Sequence, residues 1–397
     1  MGKALDGIRV LDLTQYEAGP TCTEMLAWLG ADVVKVEPPG GEVTRTTMSD
    51  QPDLDSWYFV LLNANKKSVT LNLKSERGRV MFEKMVAGAD VVVENLGPGA
   101  MDRLGLGYER LRQINPRVVA ASIKGFGSTG PYAQFKSFEP VAQAMGGAIS
   151  LTGSPEVPVR INAGIGDTNT GMHCAIGILA AIVQRQATGE GQRVEVAQQD
   201  AVVNLIRIRF RDPYVTGKAT PRLGTKSQVT APSNLFRCRP FGPNDYVYIH
   251  CASIEMWKAL VGVLGRPELA DDPRFKTPRG RAQHQDEIDA MVEAWTEKRT
   301  KHEATEILGA VGVPCGAVLD TAELLADASL AERQMMVPLD HPTRGRVMFP
   351  GNPVRLSASP TTVTPAPLLG ANNEEIYGKE LGCTSEELAA LKRDGVI

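Results

Sequence analysis

Short apolar runs alternate with amphipathic stretches through the first third of the chain, and that alternation predicts its architecture. Ile8 to Leu13 reads as a buried strand, Pro20 to Leu29 as a helix and Ala31 to Val36 as a second strand. Strand, helix and strand within so few residues make a βαβ unit. The pattern repeats. Ser68 to Leu73 is a strand, Ser75 to Val86 a helix, Ala89 to Val93 a strand, Pro98 to Ile114 a helix and Arg117 to Ile123 a strand. Repeated units of this kind predict a parallel sheet covered by helices on both faces. Ligands of such sheets sit at the carboxyl ends of the strands. The loops after Leu13, Val36, Leu73, Val93 and Ile123 are therefore where chemistry is expected.

A long helix is expected from Asp167 to about Gln186, then the strand RVEVA. The following QQDAVVNLIRIRF is read as a helix, although the spacing of its arginines suits either helix or strand. Prolines interrupt residues 210–240, which read as a crossing between domains. Asp245 to His250 (strand), Ile254 to Leu264 (helix), Gln283 to Lys298 (helix) and Pro314 to Leu319 (strand) build a smaller α/β domain. Beyond about Asp327 the chain is Pro-rich and irregular until a capped helix from Thr384 to Lys392. The expected division is 1–210 for the large Rossmann-like domain, 225–327 for the small one, and 328–397 returning to the large one.

Composition narrows the function. At 397 residues, two domains are the expectation. A net charge of −3 gives no basic field for nucleic acid. Six cysteines without a CxxC or Cys/His cluster argue against a disulfide framework or zinc site and suit a reducing cytosol. No basic and apolar leader opens the sequence, and no apolar run approaches the ~20 residues of a membrane span. A cytoplasmic protein is expected, with no metal and no tightly bound cofactor.

No GxGxxG follows the first strand, and GxSxG, HExxH and P-loop patterns are absent. A nucleophile or acid–base group would then be a carboxylate, and Asp167, Glu17 and Glu139 are the candidates. Asp167 stands in GIGDTNTGMH at the start of the long helix. It could cap that helix, or act as a nucleophile beside glycines that let a substrate approach the backbone. The strand-end loops supply TQYEAGP, EPPGG, ENLGPGAMDR and KGFGSTGPYAQFKSFEP. Their backbone N–H groups, with Arg103, Lys124 and Lys136, suit a large phosphorylated anion. His173, one and a half turns beyond Asp167, reads as structural.

The stretches LDGIRVLDLTQYEAGPTCTEMLAWLGADVVKVEPPG, NKKSVTLNLK, VVVENLGPGAMDRLGLGYERLRQINPRVV, GFGSTGP, GDTNTGMH, GEGQRVEVAQQDAVVNL and VGVPCGAV together resemble the class III CoA-transferases. This is the formyl-CoA transferase and carnitine CoA-transferase group. The resemblance implies an interlocked homodimer of ring-like subunits, each with a Rossmann-like large domain and a smaller α/β domain. It implies that Asp167 carries the acyl group and then CoA, and that a CoA thioester is a substrate rather than a resident cofactor. CoA contacts carry over to Ala18, Leu71, Asn72, Leu73, Lys74, Asn95, Leu96, Gly97, Arg103 and Lys136. Formyl-CoA with oxalate is the first expected substrate pair, and succinyl-CoA with a small dicarboxylate the second. An α-methylacyl-CoA racemase is the rival, but it needs a His before the GD motif, where this chain has Ser137, Phe138 and Glu139. Against formyl-CoA transferase the chain departs in having Glu17 for Gln, Phe138 for Tyr and Pro38 for Arg. A shorter loop at Leu223 to Pro232 also replaces the Gly-rich loop.

Overall fold

The computed structural model describes residues 2–397 and divides the chain into two compact units. The first comprises Met1–Ser150, Arg160–Thr220 and Ser329–Ile397, and the second Leu151–Val159 and Pro221–Ala328.

The first unit is built on six parallel strands: β1 (Arg9–Asp12), β2 (Asp32–Glu37), β3 (Lys67–Thr70), β4 (Val91–Glu94), β5 (Val119–Lys124) and β6 (Arg193–Ala197). They lie in the order β3-β2-β1-β4-β5-β6. The order reverses between β1 and β4, which pair through Val10↔Val91, Leu11↔Val92 and Asp12↔Val93. A reversal of this kind opens a crevice beyond the strand ends.

Alternation along the strands sends side chains to two cores. Val10, Val33, Val91 and Val93 pack with Leu26, Ile178 and Ile182 of the helices Ala18–Trp28 and Thr168–Thr188. Leu11, Val34, Val36 and Val92 pack with Met81, Phe82 and Met85 of the helix Glu76–Ala87, and with Ile376, Tyr377 and Leu391 from the chain's end. Backbone bonds reinforce that return, with Asn72 N–H donating to the Val396 carbonyl at 2.7 Å.

Two local readings need correction, and a third, left ambiguous, is decided. Residues 98–114 form two short helices, Ala100–Arg103 and Tyr108–Ile114, rather than one. Gly105 turns the chain between them with φ +73, a conformation glycine adopts without steric cost. The segment after Gln198 is helical, first Gln198–Leu205 and then a 3-10 turn at Arg207–Phe210. The Pro-rich segment is not wholly irregular. It holds an antiparallel hairpin, β10 (Met336–His341) with β11 (Gly345–Pro350), and a π-helix at Glu374–Glu380.

The second unit has three antiparallel strands, β7 (Ser233–Arg237), β8 (Tyr246–His250) and β9 (Cys315–Ala317). Phe236, Trp257, Phe275 and Leu308 fill its core. The buried Arg281 guanidinium donates to the carbonyls of Ala231, Phe275, Cys251 and Ser253, so each of its three nitrogens has an acceptor. Its His250 is engaged with Ser233 Oγ at 2.9 Å.

Candidate active site

The loops leaving β1 and β4 are clasped together where the strand order reverses. Asn95 Oδ1 accepts from Gln15 N–H at 2.8 Å, and Asn95 Nδ2 donates to the Gln15 carbonyl at 2.7 Å. The next residue, Tyr16, takes φ +62, an unusual conformation for a bulky side chain that persists only when its surroundings enforce it. It sets the Tyr16 ring edge-on to Phe138 at 5.3 Å.

Behind this wall the helix Thr168–Thr188 crosses the helix Ala18–Trp28 at close range. A Cβ on Gly171 would stand 2.4 Å from the Ala18 carbonyl oxygen. The glycines near Asp167 are likewise filled by neighbours. A Cβ on Gly164 would meet Glu17 Oε1 at 2.0 Å, and one on Gly166 the Glu139 carbonyl oxygen at 2.8 Å. These glycines admit protein rather than substrate, which corrects the expected open approach.

Asp167 occupies the N-cap position of its helix with φ −93 and ψ −65, but its side chain makes no capping bond. The capping alternative is therefore set aside. Its carboxylate faces a cavity of about 350 Å³, where Oδ1 accepts from Gln198 Nε2. Gln143 and the GD backbone share Glu139. Its Oε1 accepts from Gly166 N–H at 3.0 Å and Gln143 Nε2 at 2.6 Å, while Oε2 accepts from Asp167 N–H at 2.5 Å. Glu17 Oε1 accepts from Thr168 Oγ1 at 2.7 Å.

Three carboxylates thus surround one buried point. Burial, then Glu17, then Glu139 push the Asp167 carboxyl up to about 7, against the pull of Gln198 and the Glu139 N–H. Burial foremost, with Glu139 adding to it, also raises Glu17, and the Thr168 hydroxyl opposes the rise.

The same cavity is lined by Ala18, Asn95, Leu96, Gly97 and Lys136, together with Asp167. Leu71, Asn72, Leu73 and Lys74 follow β3 outside its lining, and Arg103 lies in the short helix after β4, donating to the Pro98 carbonyl at 2.9 Å. Glu17 and Glu139 stand behind the lining, bonded to residues beside Asp167. Both ring nitrogens of His173 are taken, by the Asn169 carbonyl and by Asn204 Nδ2, each at 2.8 Å. That leaves His173 a structural part.

The CoA-transferase family III model matches residues 5–373. The chain belongs to CoA-transferase family III. Among curated relatives, formyl-CoA:oxalate CoA-transferases of Streptomyces avermitilis and Streptomyces coelicolor are each 49% identical to it. They align over all of this chain and over 100% and 99% of their own lengths. A formyl-CoA:oxalate CoA-transferase of Rhodopseudomonas palustris is 43% identical over all of this chain and 98% of its own. Among solved structures, a CAIB/BAIF family protein from Brucella suis superposes with a TM-score of 0.84 at 32% identity, covering 96% of this chain and all of that one. Rv3272 from Mycobacterium tuberculosis gives 0.81 at 30% identity, covering 94% and 98%. The transferase is thus an enzyme with a six-stranded parallel sheet and CoA thioester substrates.

Gln198 was not among the candidate residues of this family III chain, although it touches the Asp167 carboxylate directly. The missed signal is positional. Gln198 follows β6 at once, and the rule that ligands gather at strand ends applies to the sixth strand as to the first five.

Proposed function

We propose that the transferase moves CoA from formyl-CoA to oxalate with Asp167 as the covalent carrier. The observation that carries this reading is the Asp167 carboxylate itself. It sits at the end of a 21-residue helix, makes no capping bond and lines the cavity beyond the strand ends. The substrate pair is supported by the full-length likeness to relatives named for it.

Asp167 attacks the formyl-CoA carbonyl and expels CoA thiolate, leaving an aspartyl–formyl mixed anhydride. The thiolate attacks the Asp167 carbonyl carbon and expels formate, leaving an aspartyl-CoA thioester. Oxalate attacks that carbonyl and expels the thiolate again. The thiolate then takes the oxalyl carbonyl, releasing oxalyl-CoA and the free Asp167 carboxylate. Each bond formed matches one broken, and no water is consumed. Ala18, Asn95, Leu96, Gly97 and Lys136 line the route to Asp167 and serve CoA. Leu71, Asn72, Leu73, Lys74 and Arg103 extend that site outside the cavity, with Arg103 and Lys136 toward the phosphates. Glu17 and Glu139 hold the turn around Asp167 and set its protonation.

We further propose a cytoplasmic, interlocked homodimer. Ile176, Val183, Ile208 and Tyr214 are 65–83% exposed, and large apolar side chains left open to solvent support an interaction surface on these helices.

The test is a matrix of CoA donors against short mono- and dicarboxylates, with peptide mass spectrometry after hydroxylamine quenching. Formyl-CoA with oxalate should give the highest kcat/KM, and Asp167 should carry the hydroxamate. An unmodified Asp167 peptide during turnover would sink the carrier role. A better donor–acceptor pair would reassign the substrates.

A further inference from the structure

Gln198 is held with little freedom. Its helix starts directly at the end of β6, where Ala197 pairs with Lys124 of β5, and Gln199 N–H donates to the Gly125 carbonyl at 3.1 Å. Gln198 is 6% exposed and lines the same cavity as Asp167. Its Nε2 donates to Asp167 Oδ1.

A donor on a nucleophilic carboxylate draws charge away from it, so this bond does not help Asp167 attack a thioester. It helps the steps in which Asp167 is itself attacked. When one oxygen carries the acyl group, the other is a carbonyl oxygen, and it takes up negative charge as thiolate or acid adds to the carbon. That charge would develop beside Glu17 and Glu139, two carboxylates that already oppose charge on Asp167. A fixed donor there requires no reorganisation during the step. An amide also has no proton to lose near neutral pH, so it stays a donor throughout.

We propose that Gln198 is a catalytic residue whose Nε2–H stabilises the oxyanion formed at the Asp167 carbonyl in both aspartyl steps. The bonds involved are those already assigned. Thiolate sulfur adds to the Asp167 carbonyl carbon, the carbonyl pair moves onto Oδ1, and it returns as the carboxylate leaves. In the next step the acceptor carboxylate adds and the thiolate leaves. The inference rests on Asp167 being the covalent carrier.

The experiment is rapid-quench mass spectrometry of the Asp167 peptide after mixing enzyme with formyl-CoA, well above neutral pH so that Asp167 stays ionised. Three forms are compared: the parent, Gln198→Met, which keeps length without a donor, and Gln198→His, which restores one. Thermal melts and CoA titration check that each variant folds and binds. Gln198→Met should slow the appearance of the aspartyl-CoA thioester about a hundredfold, while first release of CoA thiolate falls less than about tenfold. Gln198→His should recover part of the loss. Equal slowing of both steps, or no slowing, would overturn the oxyanion role and leave Gln198 a packing residue. A Gln198→Met that does not fold hands the decision to Gln198→His, whose two steps must then slow unequally. A parent enzyme with no adduct on Asp167 removes the carrier reading, and this one with it. Adduct in the parent with unchanged variants removes only this one.

Discussion

Glu139 grips Asp167 by its backbone, with Oε2 accepting the Asp167 N–H at 2.5 Å while Oε1 takes Gly166 N–H and Gln143 Nε2. The same carboxylate opposes negative charge on the Asp167 side chain. One group therefore fixes the place of the proposed nucleophile and raises its proton affinity. Glu139→Gln separates the two effects. An amide offers one acceptor oxygen where two acted, and its NH2 would confront a backbone N–H. We expect kcat/KM to fall by about a hundredfold through misplacement. The acid limb of the pH profile should move to lower pH, because a like charge has gone. A lower rate with an unmoved limb would show that only the positioning matters.

Glu17 acts on the same limb from the other side. Asp167 must be ionised to attack and is held at about 7, so kcat/KM should rise with pH through that value and level off above it. Glu17→Gln keeps an acceptor for Thr168 Oγ1 and removes the neighbouring charge that raises Asp167 most. The limb should move toward acid by roughly one unit. Steady-state rates across the profile check it, and an unshifted limb would assign the raised value to burial and Glu139 rather than to Glu17.

The sheet was legible because its strands are runs of Val, Ile and Leu set between helix signals, and both cores follow from their alternation. Asp167 was legible as a carboxylate at a helix start; its local pattern left capping and catalysis open, and the family resemblance pointed to catalysis. The unused cap geometry speaks against capping, and the cavity supports the proposed catalytic role. Gln198 was hidden because it meets Asp167 across 31 residues of sequence, which no local pattern records. The break in residues 98–114 was hidden for another reason. Isolated glycines are tolerated in helices, and the turn at Gly105 depends on its φ of +73. In the Pro-rich segment, the β10–β11 hairpin is set by pairing from Met336↔Pro350 to His341↔Gly345, which overrides weak strand propensity.

Burying Asp167 among carboxylates costs stability, and the sign follows from its shift. Its folded value of about 7 lies above the ordinary 3.8, so between those values the native state holds more protons than the unfolded one. Stability then declines as pH rises through that window, and the cost is complete above it. Asp167→Asn removes the charge and keeps an acceptor oxygen for Gln198 Nε2. The variant should be inactive in transfer but more stable than the parent above neutral pH, by on the order of 2 kcal/mol. The gain should shrink toward the acid end of the window. Calorimetric melts at several pH values provide the check, and equal stability at every pH would contradict the charge crowding.

Gly171 ties the two helices of the site to one another. A Cβ there would lie 2.4 Å from the Ala18 carbonyl oxygen and 3.0 Å from both Thr21 Cβ and Cys22 N. The nearest of these atoms is backbone, so the strain cannot be relieved by a side-chain rotation. Gly171→Ala must push the helices Ala18–Trp28 and Thr168–Thr188 apart, although alanine itself favours the helical state by about 1 kcal/mol. Overpacking of this kind costs about 1–3 kcal/mol, so the net change in stability should be small to moderate. Function should respond more strongly. Asp167 lies one turn before Gly171 and Ala18 opens the opposing helix, so separation widens the distance between the carboxylate and the loop that lines its cavity. We expect kcat to fall by at least about tenfold while the melting temperature drops only a few degrees. A variant with the parent's kcat would show that the close crossing serves packing and not the placement of Asp167.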